Sequence, residues 1–203
     1  ECDADDGPGN MSEIVRTGLT PGQTYYVRMW GENNAHGTFN LCAWAPPAYD
    51  EPCGATPLTL GSSCSFTTYS NAAATATSGI PDPGCGGYSG ADMWFSFVAP
   101  ARGLVTFNTS AGSLTNIGMA VYRASACNGT FYLVNCDNTS GPGNMPFLSL
   151  TPLELTPGDT YYLRVWNNGG GTGTFNLCAF APPAGGTCTY ALHMYDSQGN
   201  GWG

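Results

Sequence analysis

Leu155-Thr156-Pro157-Gly158-Asp159-Thr160-Tyr161-Tyr162-Leu163-Arg164-Val165-Trp166 reads as a turn delivering a β-strand. Pro157 and Gly158 supply turn chemistry, and the residues after them follow a period of two. Tyr161, Leu163 and Val165 fall on one face of the strand and Tyr162, Arg164 and Trp166 on the other. An arginine between two aromatic rings suggests cation–π stacking. Stacking beneath neighbouring loops is the favoured reading, with an aromatic ladder for a sugar ring as the alternative.

The same stretch occurs earlier. Leu19-Thr20-Pro21-Gly22, Tyr25-Tyr26, Arg28 and Trp30 precede it by 136 positions, as Gly37-Thr38-Phe39-Asn40-Leu41-Cys42-Ala43 precedes Gly173-Thr174-Phe175-Asn176-Leu177-Cys178-Ala179. Gly7-Pro8-Gly9-Asn10-Met11 likewise returns as Gly141-Pro142-Gly143-Asn144-Met145. A repeat this long signals whole domains in tandem. Glu1-Cys2-Asp3 aligns with Asn135-Cys136-Asp137, so the first copy lacks a counterpart of residues 53–134. The expected organisation is the C-terminal part of a first β-sandwich module at 1–48, a complete β-sandwich module at 49–185 and the start of a third, different module at 186–203.

The 9 cysteines show no Cys-x-x-Cys pair, and His36 and His193 are far apart, so zinc is disfavoured. Six cysteines fall in the complete module, Cys53, Cys64, Cys85, Cys127, Cys136 and Cys178, and are the disulfide candidates. Cys127 and Cys136 lie close in sequence across a plausible loop and are expected to be joined. Cys2 and Cys42 match Cys136 and Cys178, while Cys188 follows a second Pro-Pro-Ala linker. Their partners are expected outside this sequence. Oxidised cysteines imply an extracellular or cell-surface location. A net charge of −9, with five arginines and no lysine, disfavours nucleic acid and anionic membranes. No apolar run approaches the length of a membrane-spanning helix. Sequons stand at Asn10, Asn108, Asn128 and Asn138.

Short alternating segments separated by Gly, Pro, Asn and Ser indicate an all-β fold. Met93–Val98 and Leu104–Thr109 read as neighbouring strands around the Ala99–Gly103 turn, and residues 117–122 and 130–135 as another pair. Two stacked antiparallel sheets, forming a jelly-roll-like β-sandwich of eight or nine strands, bury such faces best. The complete module has neither histidine nor lysine, which removes the usual triads, a Schiff-base lysine and a P-loop. No base stands by to activate Ser89. Asp82, Asp92, Asp137, Glu154 and Asp159 are available for glycoside hydrolysis, but turn-forming and solvated roles are their default. No catalytic residue and no enzymatic activity are expected. Calcium is the one metal suggested, at Asp3, Asp5 and Asp6, three carboxylates in one loop. The second copy keeps only Asp137 of that set. Trp30, Trp44 and Trp166 are the candidate ligand-binding residues.

The run Gly84-Cys85-Gly86-Gly87-Tyr88-Ser89-Gly90-Ala91-Asp92-Met93-Trp94-Phe95-Ser96-Phe97, with Asn135-Cys136-Asp137, the 155–166 stretch and Gly173-Thr174-Phe175, resembles β-sandwich modules related to bacterial pre-peptidase C-terminal domains. The resemblance implies large proteins exported by the type IX secretion system, among them gliding and surface adhesins, and it carries over no catalytic residues. The expected function is a disulfide-stapled spacer or adhesion unit in an adhesin or extracellular filament; the alternative is an accessory carbohydrate-binding module of a secreted hydrolase. Expected partners are adjacent modules of the same polypeptide, with surface glycans and the secretion machinery as further candidates.

Overall fold

The computed structural model describes residues 2–4, 7, 9, 11–16, 19–20 and 22–182. The chain divides into two compact units, Glu1–Ala43 and a second beginning at Trp44. The expected third module and Cys188 lie outside the described residues.

Among the described residues the second unit is a β-sandwich of nine strands. They are β1 (Thr56–Pro57), β2 (Thr67–Ser70), β3 (Met93–Val98), β4 (Val105–Ala111), β5 (Ile117–Arg123), β6 (Tyr132–Asp137), β7 (Phe147–Leu150), β8 (Thr160–Asn167) and β9 (Thr174–Phe180). One sheet runs β1-β3-β8-β5-β6 and the other β2-β9-β4-β7. All pairings are antiparallel except the two-residue edge β1, which lies parallel to β3. Among the described residues no helix is long and apolar enough to cross a membrane.

The period-two reading sets the inner core. Phe95 and Phe97 of β3, Met119 and Val121 of β5 and Tyr161, Leu163 and Val165 of β8 meet Phe107 of β4, Leu148 of β7 and Phe175 and Leu177 of β9. Each such burial contributes about 1.5–3 kcal/mol. The turn before β8 forms as the sequence suggests. Gly158 takes φ +86°, a conformation glycine adopts without strain, and Tyr161 Oη accepts the Thr156 N–H at 2.8 Å.

Two expectations are corrected. Met93–Val98 and Val105–Ala111 are not neighbours in a sheet; the Ala99–Gly103 turn carries the chain from one sheet to the other. Both strands turn one apolar face to the same core, so their patterns are alike whether they pair side by side or face each other. Cys127 and Cys136 are not bonded to each other. The β5–β6 register sets Cys136 opposite Ala120 and Tyr132 opposite Arg123, so Cys136 sits well down the hairpin from the turn holding Cys127. A disulfide needs Cα atoms within about 7 Å. The observed pairs are Cys53–Cys127, Cys64–Cys178 and Cys85–Cys136.

In Glu1–Ala43 the turns of the repeat persist, but no strand is assigned among the described residues. Thr20 N–H donates to Tyr25 Oη at 2.9 Å, and Gly7 N–H to the Met11 carbonyl at 2.7 Å, matching Gly141 and Met145 at 2.8 Å. Turn contacts are local, whereas a strand needs a ladder partner. Residues 1–43 hold no counterpart of β3, β4 or β5.

Candidate functional site

The outer face of the five-stranded sheet is a second core. Trp94 of β3 lies in register with Arg164 of β8, and Ala120 and Gly118 of β5 face Arg164 and Trp166. Small residues beside large ones let the guanidinium and indole lie over the sheet. The segment 72–92 and the β5–β6 connection close over them, contributing Ile80, Cys85, Tyr88, Cys127 and Phe131.

Arg164 is fully buried, which demands a partner. Its Nε donates to Asp92 Oδ2 at 2.8 Å, and its guanidinium stacks over the Tyr88 ring at 4.0 Å and lies 5.2 Å from the Trp94 ring. Asp92 also accepts from the Tyr88 hydroxyl at 2.8 Å, the Thr77 hydroxyl at 2.8 Å and the Thr77 N–H at 3.1 Å. Trp94 Nε1 donates to Thr77 Oγ1 at 2.8 Å. Burial works to lower the Arg164 pKa, but the Asp92 carboxylate together with Tyr88 and Tyr122 outweighs it and holds the pKa above its ordinary value. Burial, reinforced by Asp92, raises that of Tyr88. The cluster fastens the 72–92 segment to the sheet, with its charges turned toward one another.

The loops that carry Gly86, Asn116, Asn138 and Asn168 gather at one end of the sandwich. Gly86 approaches so closely that a Cβ there would stand 2.6 Å from Asn168 Oδ1 and 3.2 Å from Asn138 Cβ. Asn168 Nδ2 donates to Asn116 Oδ1 at 2.8 Å, and Ser89 Oγ donates to the Asn167 carbonyl at 2.9 Å. Cys85–Cys136 ties the glycine-rich loop to β6 beside Asn138. These donors and acceptors are uncharged, a set suited to hydroxyl groups. Elsewhere, a cleft of about 340 Å³ opens between the Pro57–Gly61 segment and edge strand β2, lined by hydroxyl and aliphatic groups with Tyr69.

The candidate residues fall in different places. Trp166 is buried beneath the 72–92 segment, edge-on to Tyr88, and offers no ring to a ligand. Trp30 and Trp44 are exposed, and Arg28 lies over Trp30 at 6.0 Å. Asp3 Oδ2 accepts the Glu13 N–H at 2.7 Å, as Asp137 Oδ2 accepts the Phe147 N–H at 2.9 Å, so both acids close equivalent turns. Burial works to raise the Asp137 pKa, but hydrogen bonds from Ser140, Phe147 and Asn138 hold it below the usual range. Asp5 and Asp6 lie outside the described residues. Among the described residues no group of three metal-ligating side chains gathers. Of the remaining acids, Asp82 caps the Gly84 N–H, and Glu154 holds Asn135 and Thr151. Sequence reading missed the pairing of Asp92 with Arg164, although both residues sit beside tryptophans, and it missed the Asn116–Asn138–Asn168 gathering.

A family model described as "Galactose binding domain-like", for domains associated with type IX secretion, matches residues 50–177. The chain belongs to this family. The galactose-binding-like match covers β1 to β8 and most of β9, including the Asp92–Arg164 cluster. Its association with type IX secretion, together with three disulfides, points to a secreted or extracellular protein. No curated protein matches the chain.

Proposed function

We propose that the chain is part of a large secreted or cell-surface multidomain protein, an adhesin or extracellular filament, in which the galactose-binding-like module is a disulfide-stapled spacer and adhesion unit without catalytic activity. One observation carries this reading: the module's conspicuous charged and aromatic constellation, Arg164, Asp92, Tyr88 and Trp94, is turned inward and spent on fixing a loop to a sheet. The partners proposed are adjacent modules of the same polypeptide.

A second reading, an accessory carbohydrate-binding module of a secreted hydrolase, draws on the neutral gathering of Asn116, Asn138 and Asn168. Immobilised neutral polysaccharides probed with the oxidised chain separate the two. The spacer reading expects no saturable retention. Saturable retention lost in Asn168→Ala would replace it with the binder.

A further inference from the structure

An antiparallel ladder alternates hydrogen-bonded and non-bonded pairs. Asn71 N–H donates to the Gly173 carbonyl at 3.1 Å, one step beyond the Ser70–Thr174 pair of β2 and β9. Thr67 and Tyr69 therefore spend their backbone groups on β9, while Thr68 and Ser70 turn theirs to the open side of β2, where no strand lies among the described residues. The Tyr49 hydroxyl reaches the Ser70 carbonyl there at 3.0 Å. The N–H and carbonyl of Thr68 and the N–H of Ser70 are left for a partner.

Folded proteins blunt such edges. Among the described residues the other sheet edges of the second unit are blunted: β1 is two residues long and Pro57 has no N–H, β7 is bracketed by Pro146 and Pro152, and the β5–β6 pair carries a register shift at Val121/Tyr122. β2, Thr67-Thr68-Tyr69-Ser70, has no proline, charge or shift. It borders the cleft of about 340 Å³, which the alternate residues Ser63, Ser65, Thr67 and Tyr69 line together with Pro57 and Thr59. Leu177 and Ala179 of β9 add apolar surface. The hydroxyls of Thr59, Ser63 and Ser65 have no partner among the described residues, whereas those of Thr68, Thr75 and Thr77 are all engaged.

We propose that this edge and cleft receive an extended, uncharged peptide segment of another polypeptide, which pairs with β2 at Thr68 and Ser70 and turns alternate small apolar side chains toward Leu177 and Ala179. Stacked sheets lie about 10 Å apart, about twice the spacing of paired strands, so the gap between two sheet edges has the width of one strand. Main-chain bonds supply affinity and the alternate side chains specificity. No charged residue lines the cleft, although the chain carries a net charge of −9, so a charged side chain entering it loses water without gaining a partner. A second folded copy is not the occupant. Its own β2 is flanked by the same Pro57–Gly61 segment, and its other edges are the blunted ones. The proposal goes beyond the spacer reading, which stands or falls without it.

The test is fluorescence anisotropy of labelled, capped hexapeptides that alternate Val or Ala with Thr, titrated with the oxidised full chain. Saturable binding is expected, and hydrogen exchange should show the Thr68 amide passing from unprotected to protected in the complex. Thr68→Pro deletes the outward N–H, and Ser65→Glu puts a charge into the cleft at an exposed side chain. Each should weaken binding about tenfold or more. Non-reducing peptide mapping checks that the variants keep the three disulfides; if Thr68→Pro loses them, Ser65→Glu alone decides. The proposal is overturned if no hexapeptide saturates, if hexapeptides with Glu in place of Val bind equally well, if the folded variants bind as the parent does, or if binding leaves Thr68 unprotected. Sedimentation showing the chain self-associated and Thr68→Pro monomeric would overturn it as well, with a second copy as the occupant.

Discussion

Arg164 shows how one buried charge organises its neighbours. The guanidinium is stable under the loop because Asp92 neutralises it, and Asp92 tolerates burial because Tyr88 and Thr77 donate to it. Tyr88 is the titratable edge of this arrangement. Its pKa is raised in the fold, so the fold holds the neutral phenol more tightly than the unfolded chain does. That contribution is complete below about pH 10, the ordinary tyrosine value, and is lost as pH rises through the folded value. Tyr88→Phe removes a hydrogen bond to a charged group, worth about 1.5–3 kcal/mol. Melting curves should therefore show the variant less stable at pH 8 and the gap to the parent closing above pH 10; a gap independent of pH would refute the assignment. The sequence showed Arg164 between aromatic rings but not its acid, because the two are 72 residues apart and meet only through the β3–β8 register.

At the level of strands, alternation showed which residues turn inward but not which strand lies beside which. The β3–β4 connection illustrates the limit, since a turn of the same composition can close a hairpin or cross between sheets. Residues 117–122 of β5 are buried on both faces, one against the second sheet and the other beneath the loops. Gly118 makes this arrangement possible, because a Cβ there would overlap the Trp166 indole. Gly118→Ala should cost about 1–3 kcal/mol or more through overpacking, read as a lower urea midpoint. Gly158→Ala, at a positive φ with open space around it, should lose stability through backbone strain alone. Equal near-uv circular dichroism for parent and Gly118→Ala would show the indole undisturbed and the packing account mistaken. The loop gathering at Asn116, Asn138 and Asn168 was illegible for a related reason: asparagine and glycine signal turns wherever they occur, and only the sheet order brings these three turns together.

Across the whole molecule, the all-β sandwich class followed from the punctuation of the sequence, while the cysteine connectivity did not. Even numbers announce disulfides, but pairing depends on which strand ends the topology makes adjacent. The pairing has a mechanical meaning. Tension entering near Asp50 and leaving near Pro182 meets Cys64–Cys178, a bond that spans 114 residues and carries the load across the module. Even with every strand unravelled, only the short stretches from Asp50 to Cys64 and from Cys178 to Pro182 can pay out. At about 3.4 Å per residue that is roughly 60 Å of slack, against roughly 450 Å once the bonds are reduced. Single-molecule stretching with and without reductant should resolve the two lengths, and a long extension under oxidising conditions would contradict the pairing. A chain of such modules would behave as a cable of nearly fixed length, yielding at its joints rather than within its beads.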